Sequence, residues 1–225
     1  MFICGGEANS SDLQDFWVFD LELCGWIQLE ITGQVAFHAK RFHSCCSVSQ
    51  NRVITFGGCH SEYVHLNDLN IFYLDDFVSS NGTNKLVNCV KVNFDKTAIC
   101  PSSRWGHTGS VYQDKMYILG GRNENDISDL FVFDPETLKW SEIIISGRIP
   151  TPRRRHSAVF IASSLVMFGG FDGAFFNDLY ALHLNDQRKN LIQVEKSKID
   201  RDFTSLINNP AKSDLRLKIC FSHQE

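Results

Sequence analysis

Eight histidines, eight cysteines and a set of regularly placed aspartates are the residues of this 225-residue chain suited to holding a metal or moving a proton. Soft-metal binding would draw on the vicinal Cys45 and Cys46 and on the Cys59-His60 step, with His60 and His65 as a second pair of candidates. The cysteines fall at positions 4, 24, 45, 46, 59, 89, 100 and 220, with no Cys-x-x-Cys and no framework spacing. That pattern suits a reduced intracellular compartment, with the thiols packed as small hydrophobes. His43, His107 and His156 recur at matching places along the chain, as do Asp15, Asp68, Asp129 and Asp178. A residue that returns once per segment serves the structure of each segment, whereas a metal or catalytic centre needs ligands converging on one point. The histidines are therefore assigned to strand-start hydrogen bonds and the aspartates to turn and strand-start acceptors. No Ser-His-Asp order, phosphate loop or spaced carboxylate pair is present, so no catalytic residue, metal or cofactor is expected.

The segments are marked by four glycine pairs, Gly5-Gly6, Gly57-Gly58, Gly120-Gly121 and Gly169-Gly170, spaced by 52, 63 and 49 residues. This is close to one propeller blade per pair. In the unit from 104 to 143, the runs 110–112, 116–119 and 130–134 are β-branched or aromatic and separated by polar turns, and Trp140 opens a fourth. One unit is thus a four-stranded antiparallel meander. The expected fold is all-β, a partial propeller of about four blades with a short α/β tail. Met1 to Cys4 runs directly into the first glycine pair, like the second strand of a blade whose first strand is absent, and unlike a signal peptide. Four units sit at the bottom of the range for closed propellers, so an open arc or part of a longer protein is expected. The glycine pairs belong where strands converge on a central channel. Trp26 and Trp140, each 11 residues after a repeated Asp, are expected to wedge between blades. The turn-rich stretch 79–84 reads as a surface insertion, with the outer strand resuming over 86–92.

This order of His, Gly-Gly, Asp and an aromatic strand resembles the kelch motif over about the first 185 residues. In kelch propellers partners dock on the loops after the glycine pairs and on the loops entering each blade. Here those are 7–12, 59–66, 122–127 and 171–176, with 37–41, 101–104 and 148–154 entering. The partner-binding candidates on them are Arg41, His60, Arg122, Asn123, Arg153, Phe171, Asp172 and Phe175. Arg122 follows Gly121 directly, a place where propeller adaptors present an arginine to an acidic peptide; its other reading is a solvated loop residue. Phe171 or Phe175 suits an exposed anchor, and Phe176 suits the core. Some kelch propellers are copper or iron enzymes, which the once-per-blade histidines argue against.

The segment 186–200 reads as a linker, and the charge balance changes there. Residues 1–185 carry 14 Lys and Arg against 20 Asp and Glu, the remainder 8 against 6. From Asp202 the chain passes through Asn208-Asn209-Pro210 and Ser213-Asp214 to Leu215, Leu217 and Ile219, which alternate with Arg216 and Lys218 as a half-buried strand would. This part, 201–225, resembles the truncated opening of a BTB domain. Kelch repeats followed by BTB resemble cullin-3 ubiquitin-ligase adaptors of the leucine-zipper-like transcriptional regulator type. The resemblance implies a cytoplasmic, non-enzymatic protein-interaction module holding a client on the propeller. A kelch scaffold for cytoskeletal or small-GTPase partners is the alternative, and a metal-dependent kelch enzyme a third. The run Arg153-Arg154-Arg155 invites a nucleic-acid reading, but the repeat region is net acidic and lacks a wider basic stripe. Neither nucleic acid nor membrane is expected as a partner.

Overall fold

Glycine pairs and polar turns cut the apolar runs into strands of two to ten residues, and the strands fold back on themselves as meanders. The computed structural model describes residues 1–33, 37–49, 51–60, 64–95, 97–184 and the backbone of 190–194. Blade 1 comprises β1 (Phe2–Ala8), β2 (Ser11–Asp20) and β3 (Gly25–Thr32). Blade 2 comprises β4 (Ser44–Val48), β5 (Arg52–Phe56), β6 (Leu69–Tyr73) and, after the single turn of α1 (Asp75–Ser79), β7 (Leu86–Val92). Blade 3 holds β8 (Thr108–Tyr112), β9 (Lys115–Arg122), β10 (Asp126–Asp134) and β11 (Lys139–Glu142). After the short β12 (Ser146–Gly147), blade 4 holds β13 (Ser157–Ile161), β14 (Ser164–Phe168), β15 (Leu179–His183) and β16 (Asn190–Val194). Pairing within each blade is antiparallel. Two links between blades are parallel: β3 runs beside β7, and β12 beside β16. The chain leaving one blade's outer strand is thereby hydrogen-bonded to the next blade's outer strand. The architecture is a kelch-type β-propeller fragment of four blades.

One boundary differs from the sequence reading. The stretch expected as a linker from 186 contains β16, the fourth strand of blade 4. Its run Leu-Ile-Gln-Val is short and has charged flanks on both sides, so composition alone masks it. The free edge of β15 supplies the partner that makes it a strand. The BTB-like segment lies outside the described residues.

Alternation along the strands sends one set of side chains to the preceding blade and the other to the following blade. Cys4, Phe16, Val18 and Leu29 of blade 1 meet Val53, Phe72, Val87 and Cys89 of blade 2. Cys46, Val48, Ile54, Phe56, Leu69 and Ile71 of blade 2 meet Met116, Ile118, Phe131, Phe133 and Trp140 of blade 3. Tyr117, Leu119 and Leu130 of blade 3 meet Leu165, Met167, Tyr180 and Leu182 of blade 4. Each fully buried large side chain contributes about 1.5–3 kcal/mol, so the blade interfaces hold the arc together. The same alternation puts Cys46 inside and Cys45 outside, and so denies the vicinal pair a shared metal.

The two tryptophans expected as wedges part company. Trp140 is 6% exposed, with Phe56 of blade 2 and Phe133 of its own blade each at 5.1 Å between ring centroids. Trp26 is 43% exposed, and among the described residues the one ring it pairs with is Phe19, edge-on at 5.0 Å. It is not an interblade wedge in this chain. The face that Trp140 turns to blade 2 is, in blade 1, the outer face of the arc, where none of the described blades packs.

Candidate functional site

A buried cation stands at the entry of each of the last three blades, three residues before the repeated histidine. Lys40 Nζ donates to Asp68 Oδ2 at 2.8 Å. Arg104 grips Asp129 through both terminal nitrogens, with Nη2 2.9 Å from Oδ2, and Arg153 grips Asp178 at 2.5 and 3.1 Å. Nη1 of each arginine also donates to the first glycine of its blade, at 3.1 Å to Gly120 O and 2.9 Å to Gly169 O. Asp68, Asp129 and Asp178 are thus counter-ions more than turn acceptors, whereas Asp15 accepts from Trp17 Nε1 at 2.7 Å. Burial pushes Asp68 up, but attraction to Lys40 and hydrogen bonds from Lys40 and Asn70 outweigh it and hold the carboxyl below its usual range. Arg153, expected among the partner contacts, is 2% exposed, paired with Asp178 and stacked 3.9 Å over the Phe176 ring. It is a structural residue, because a guanidinium that deep cannot reach a partner without losing its carboxylate.

The histidines explain the glycine pairs. Side-chain space at Gly57 is filled by the His107 ring of the next blade, with Cε1 3.0 Å from where a Cβ would stand. At Gly58 the nearest obstacle is the backbone oxygen of Arg41 at 2.6 Å, followed by the Cβ of His43 at 2.8 Å in the same blade. Both glycines also have positive φ, 64° and 94°. Gly58 N donates to Arg104 O across the blade boundary, and Gly6 and Gly121 donate likewise to Lys40 O and Arg153 O. His107 Nε2 lies 2.9 Å from Ser44 Oγ, and His156 Nε2 3.1 Å from Thr108 Oγ1, so each ring ties its blade to the one before.

Loss of solvent, aided by the neighbouring Lys40 or Arg153, pushes His43 and His156 down to about 4, and burial with Arg104 nearby puts His107 well below its ordinary value. The rings are therefore neutral in the folded chain at neutral pH. An unfolded chain takes up protons near pH 6.5 that the folded chain refuses until about 4. Stability is therefore full above pH 6.5 and falls as pH drops through that window. Each histidine contributes a slope of up to about 1.4 kcal/mol per pH unit. Urea midpoints measured at several pH values should show this fall, and His156→Gln should make it shallower. A midpoint independent of pH across the window would show that the histidines are protonated in the folded chain.

Beyond the buried cations the chain rises to a rim. Arg41, Trp105 and Arg154 form backbone bridges with the residues after the glycine pairs, Cys59, Arg122 and Phe171. The next residues, Phe42, Gly106 and Arg155, have φ of 56°, 64° and 56°. They are joined by hydrogen bonds from Gly106 N to Phe42 O at 3.0 Å and from Arg155 N to Gly106 O at 2.7 Å. On this rim the Arg155 guanidinium lies 5.2 Å from the Phe42 ring and 5.4 Å from the Trp105 ring. Arg154 lies 4.8 Å from Phe171, which packs on Phe175 at 4.9 Å. Arg122 and Arg154 share one carboxylate, Asp126, at 3.1 Å and at 2.6 and 2.8 Å. Arg155 pairs with no carboxylate among the described residues. It lines two clefts, one of about 340 Å³ with Phe168, Phe171 and Phe175, the other of about 200 Å³ with Phe42, Trp105 and Glu7. The rim at blades 3 and 4 is thus cationic and aromatic, a surface that takes acidic groups and apolar anchors.

Among the sequence candidates, Arg122, Phe171 and Phe175 come together on this rim, and Phe175 is 89% exposed. Asp172 shapes their loop by accepting from Ala174 N at 3.2 Å, and Asn123 accepts from Asn125 N at 3.1 Å. Arg41 is nearly buried between Glu7 at 2.7 Å and Asp12 at 3.5 Å. His60 lies apart, in a cavity of about 470 Å³ with His38, His65, Asp68 and Lys91. Among the described residues no three His, Cys, Asp or Glu side chains are placed to hold a metal ion.

Phe42, Trp105 and Arg155 were not expected on the site, and Arg154, although within the entry loop 148–154, was not among the named candidates. A signal for them was present. Aligning Lys40-Arg41-Phe42-His43, Arg104-Trp105-Gly106-His107 and Arg153-Arg154-Arg155-His156 shows that the first position is always a cation and the third varies freely.

A family model described as the KLHDC2/KLHL20/DRC7 Kelch-repeats domain matches residues 1–207. Kelch domain-containing protein 3 of Bos taurus is 31% identical over 157 residues, covering 67% of this chain and 40% of that protein. Kelch domain-containing protein 2 of Bos taurus is 27% identical over 250 residues, covering 95% and 58%. The Rho GTPase-activating protein gacHH of Dictyostelium discoideum is 32% identical over 149 residues, covering 63% of this chain and 9% of itself. The chain spans about half the length of the kelch domain-containing relatives it matches.

Proposed function

Because this chain belongs to the KLHDC2/KLHL20/DRC7 Kelch-repeats family, we propose that it is a non-enzymatic protein-interaction module whose recognition face is the rim around Arg155. The observation that carries this is Arg155, with no carboxylate partner among the described residues, set between Phe42 and Trp105 on one side and Phe171 and Phe175 on the other. The client is a segment bearing acidic groups and a hydrophobic side chain. Arg155→Ala and Phe175→Ala should each weaken capture of a client, identified by proximity labelling and measured by calorimetry, by about thirtyfold. Stability should hardly change, and Asn81→Ala on the insertion should bind as wild type. Both rim variants binding at full strength would move the recognition face elsewhere.

In the full-length protein we assign this module to a cytosolic cullin-3 ubiquitin-ligase adaptor, with 201–225 opening a BTB domain. The support is the pattern from Asp202 to Ile219 together with the free cysteines. No helix among the described residues is long and apolar enough to cross a membrane. The Kelch-repeats model matches through residue 207, so residues 201–207 fall within the kelch match and the BTB reading rests on the sequence pattern alone. Co-purification of cullin-3 with full-length protein, lost on deletion from residue 201, tests the assignment. Recovery of a Rho-family GTPase without cullin-3 would favour the scaffold reading, which the likeness to gacHH supports.

A further inference from the structure

Blade 2 closes its entry with different chemistry from blades 3 and 4. The backbone is the same in all three, since Lys40 N, Arg104 N and Arg153 N donate to Leu13 O, Leu66 O and Ile127 O of the preceding blade. In blades 3 and 4 one guanidinium serves both oxygens of its aspartate and also donates to the hydroxyl two residues before it, Ser102 Oγ or Thr151 Oγ1. It lies near an aromatic ring two residues after that aspartate, Phe131 or Tyr180. In blade 2 the same three positions hold Lys40, His38 and Asn70. Lys40 Nζ and Asn70 Nδ2 both donate to Asp68 Oδ2, at 2.8 and 3.0 Å. Asp68 Oδ1 has no hydrogen-bond partner among the described residues, and the side chain is only 9% exposed. Lysine and asparagine are smaller than arginine and an aromatic residue, and Asp68 borders the cavity of about 470 Å³ that His38, His60, His65, Asn67 and Lys91 also line.

We propose that this cavity is a subsite for a side-chain carboxamide, an asparagine or glutamine of a bound polypeptide, which donates an N–H to Asp68 Oδ1. Charge and hydrogen bonding together select that group. Lys40 already balances the charge of Asp68, whereas the carboxylate is one donor short, so the missing partner is neutral. A cation would face Lys91 as well as Lys40, and an anion would face a carboxylate oxygen that has nothing to donate. A carboxamide carries a donor and an acceptor: its amino group meets Asp68, and its carbonyl can accept from Lys91, Asn67 or an imidazole N–H. His60 directly follows Cys59, which lines the Arg155 cleft, so the cavity adjoins the rim and a polypeptide held there reaches it. The polypeptide source rests on the rim being the recognition face; the chemistry of the subsite does not.

Single residues capped as N-acetyl N-methylamides test the subsite without a client, and so separately from the recognition face. Titrated into the 225-residue chain, the glutamine probe should move the imidazole proton resonances of His60 and His65. It should bind about tenfold more tightly than the methionine probe, which has the same capped backbone and no comparable side-chain hydrogen bond. The glutamate, lysine and serine probes should bind no better than methionine. Lys40→Arg combined with His38→Ser gives blade 2 the pattern of blades 3 and 4 and supplies Oδ1 with a donor. That variant should bind glutamine no better than methionine, with a urea midpoint no lower than wild type. If it melts early, His60→Ala with His65→Ala takes its place and should weaken the glutamine probe by removing donors to its carbonyl. No shift with glutamine, tighter binding of the glutamate, lysine or serine probe, or full glutamine binding by the variant that folds would overturn the subsite. Free glutamine binding more tightly than the capped residue would overturn its assignment to a polypeptide.

Discussion

Gly120→Val should cost about 2–5 kcal/mol, a large share of the stability of an ordinary domain. Two terms add. A β-branched residue at φ of 61° costs roughly 1–2 kcal/mol in backbone strain. The Cβ alone would lie 2.9 Å from His156 Cε1, 3.0 Å from Arg153 O and 3.2 Å from Ile127 O, and two of these three are backbone atoms that cannot rotate away. Overpacking of that kind adds about 1–3 kcal/mol. Gly6→Val separates the terms, because Gly6 has φ of 112° but nothing within 4 Å of where a Cβ would stand. Urea denaturation should show the loss from backbone strain alone for Gly6→Val and a larger one for Gly120→Val. Equal losses would mean that backbone conformation alone, and not the histidine of the next blade, demands the glycine.

Asp129→Ala should cost about 3 kcal/mol, because it leaves the fully buried Arg104 guanidinium with neutral acceptors only, Gly120 O, Ser102 O and Ser102 Oγ, each at 3.1 Å. The side chain of Asp129 is itself partly exposed, and water reaching it puts the loss at the low end for a buried pair. Arg104→Met combined with Asp129→Leu should recover most of the loss, since an apolar pair of similar volume needs no counter-charge. Asp178→Ala should behave like Asp129→Ala, because Arg153 repeats the same contacts one blade later. A loss below about 1 kcal/mol for Asp129→Ala, or no recovery in the double variant, would remove the ion pairs from the list of what holds each blade.

The fold was legible because it repeats. Glycine pairs, histidines and aspartates at matching offsets identify a blade without any contact being known, and Trp140 reads as an interblade wedge for the same reason. Offsets carry no information about which side of a blade has a neighbour. Trp26 has the same offset as Trp140 and a different environment, since none of the described blades lies against that face of blade 1. Likewise β16 depends on an edge that only β15 provides.

For the candidate site, sequence by itself determined the loops that form the rim and the separation of repeated, structural residues from unrepeated ones. Tertiary structure decided which of three consecutive arginines meets solvent. Arg153 is drawn inward by Asp178 and Arg154 is held by Asp126. Arg155, carried past both by its left-handed backbone, has no carboxylate among the described residues and lies beside Phe42 and Trp105. Neighbours in sequence point three ways there because the chain bends at each of them. The carboxylates that sort them lie 25 residues downstream for Arg153 and 28 upstream for Arg154; the first becomes a contact when the strands of blade 4 fold back on one another, the second only when blade 4 stacks on blade 3.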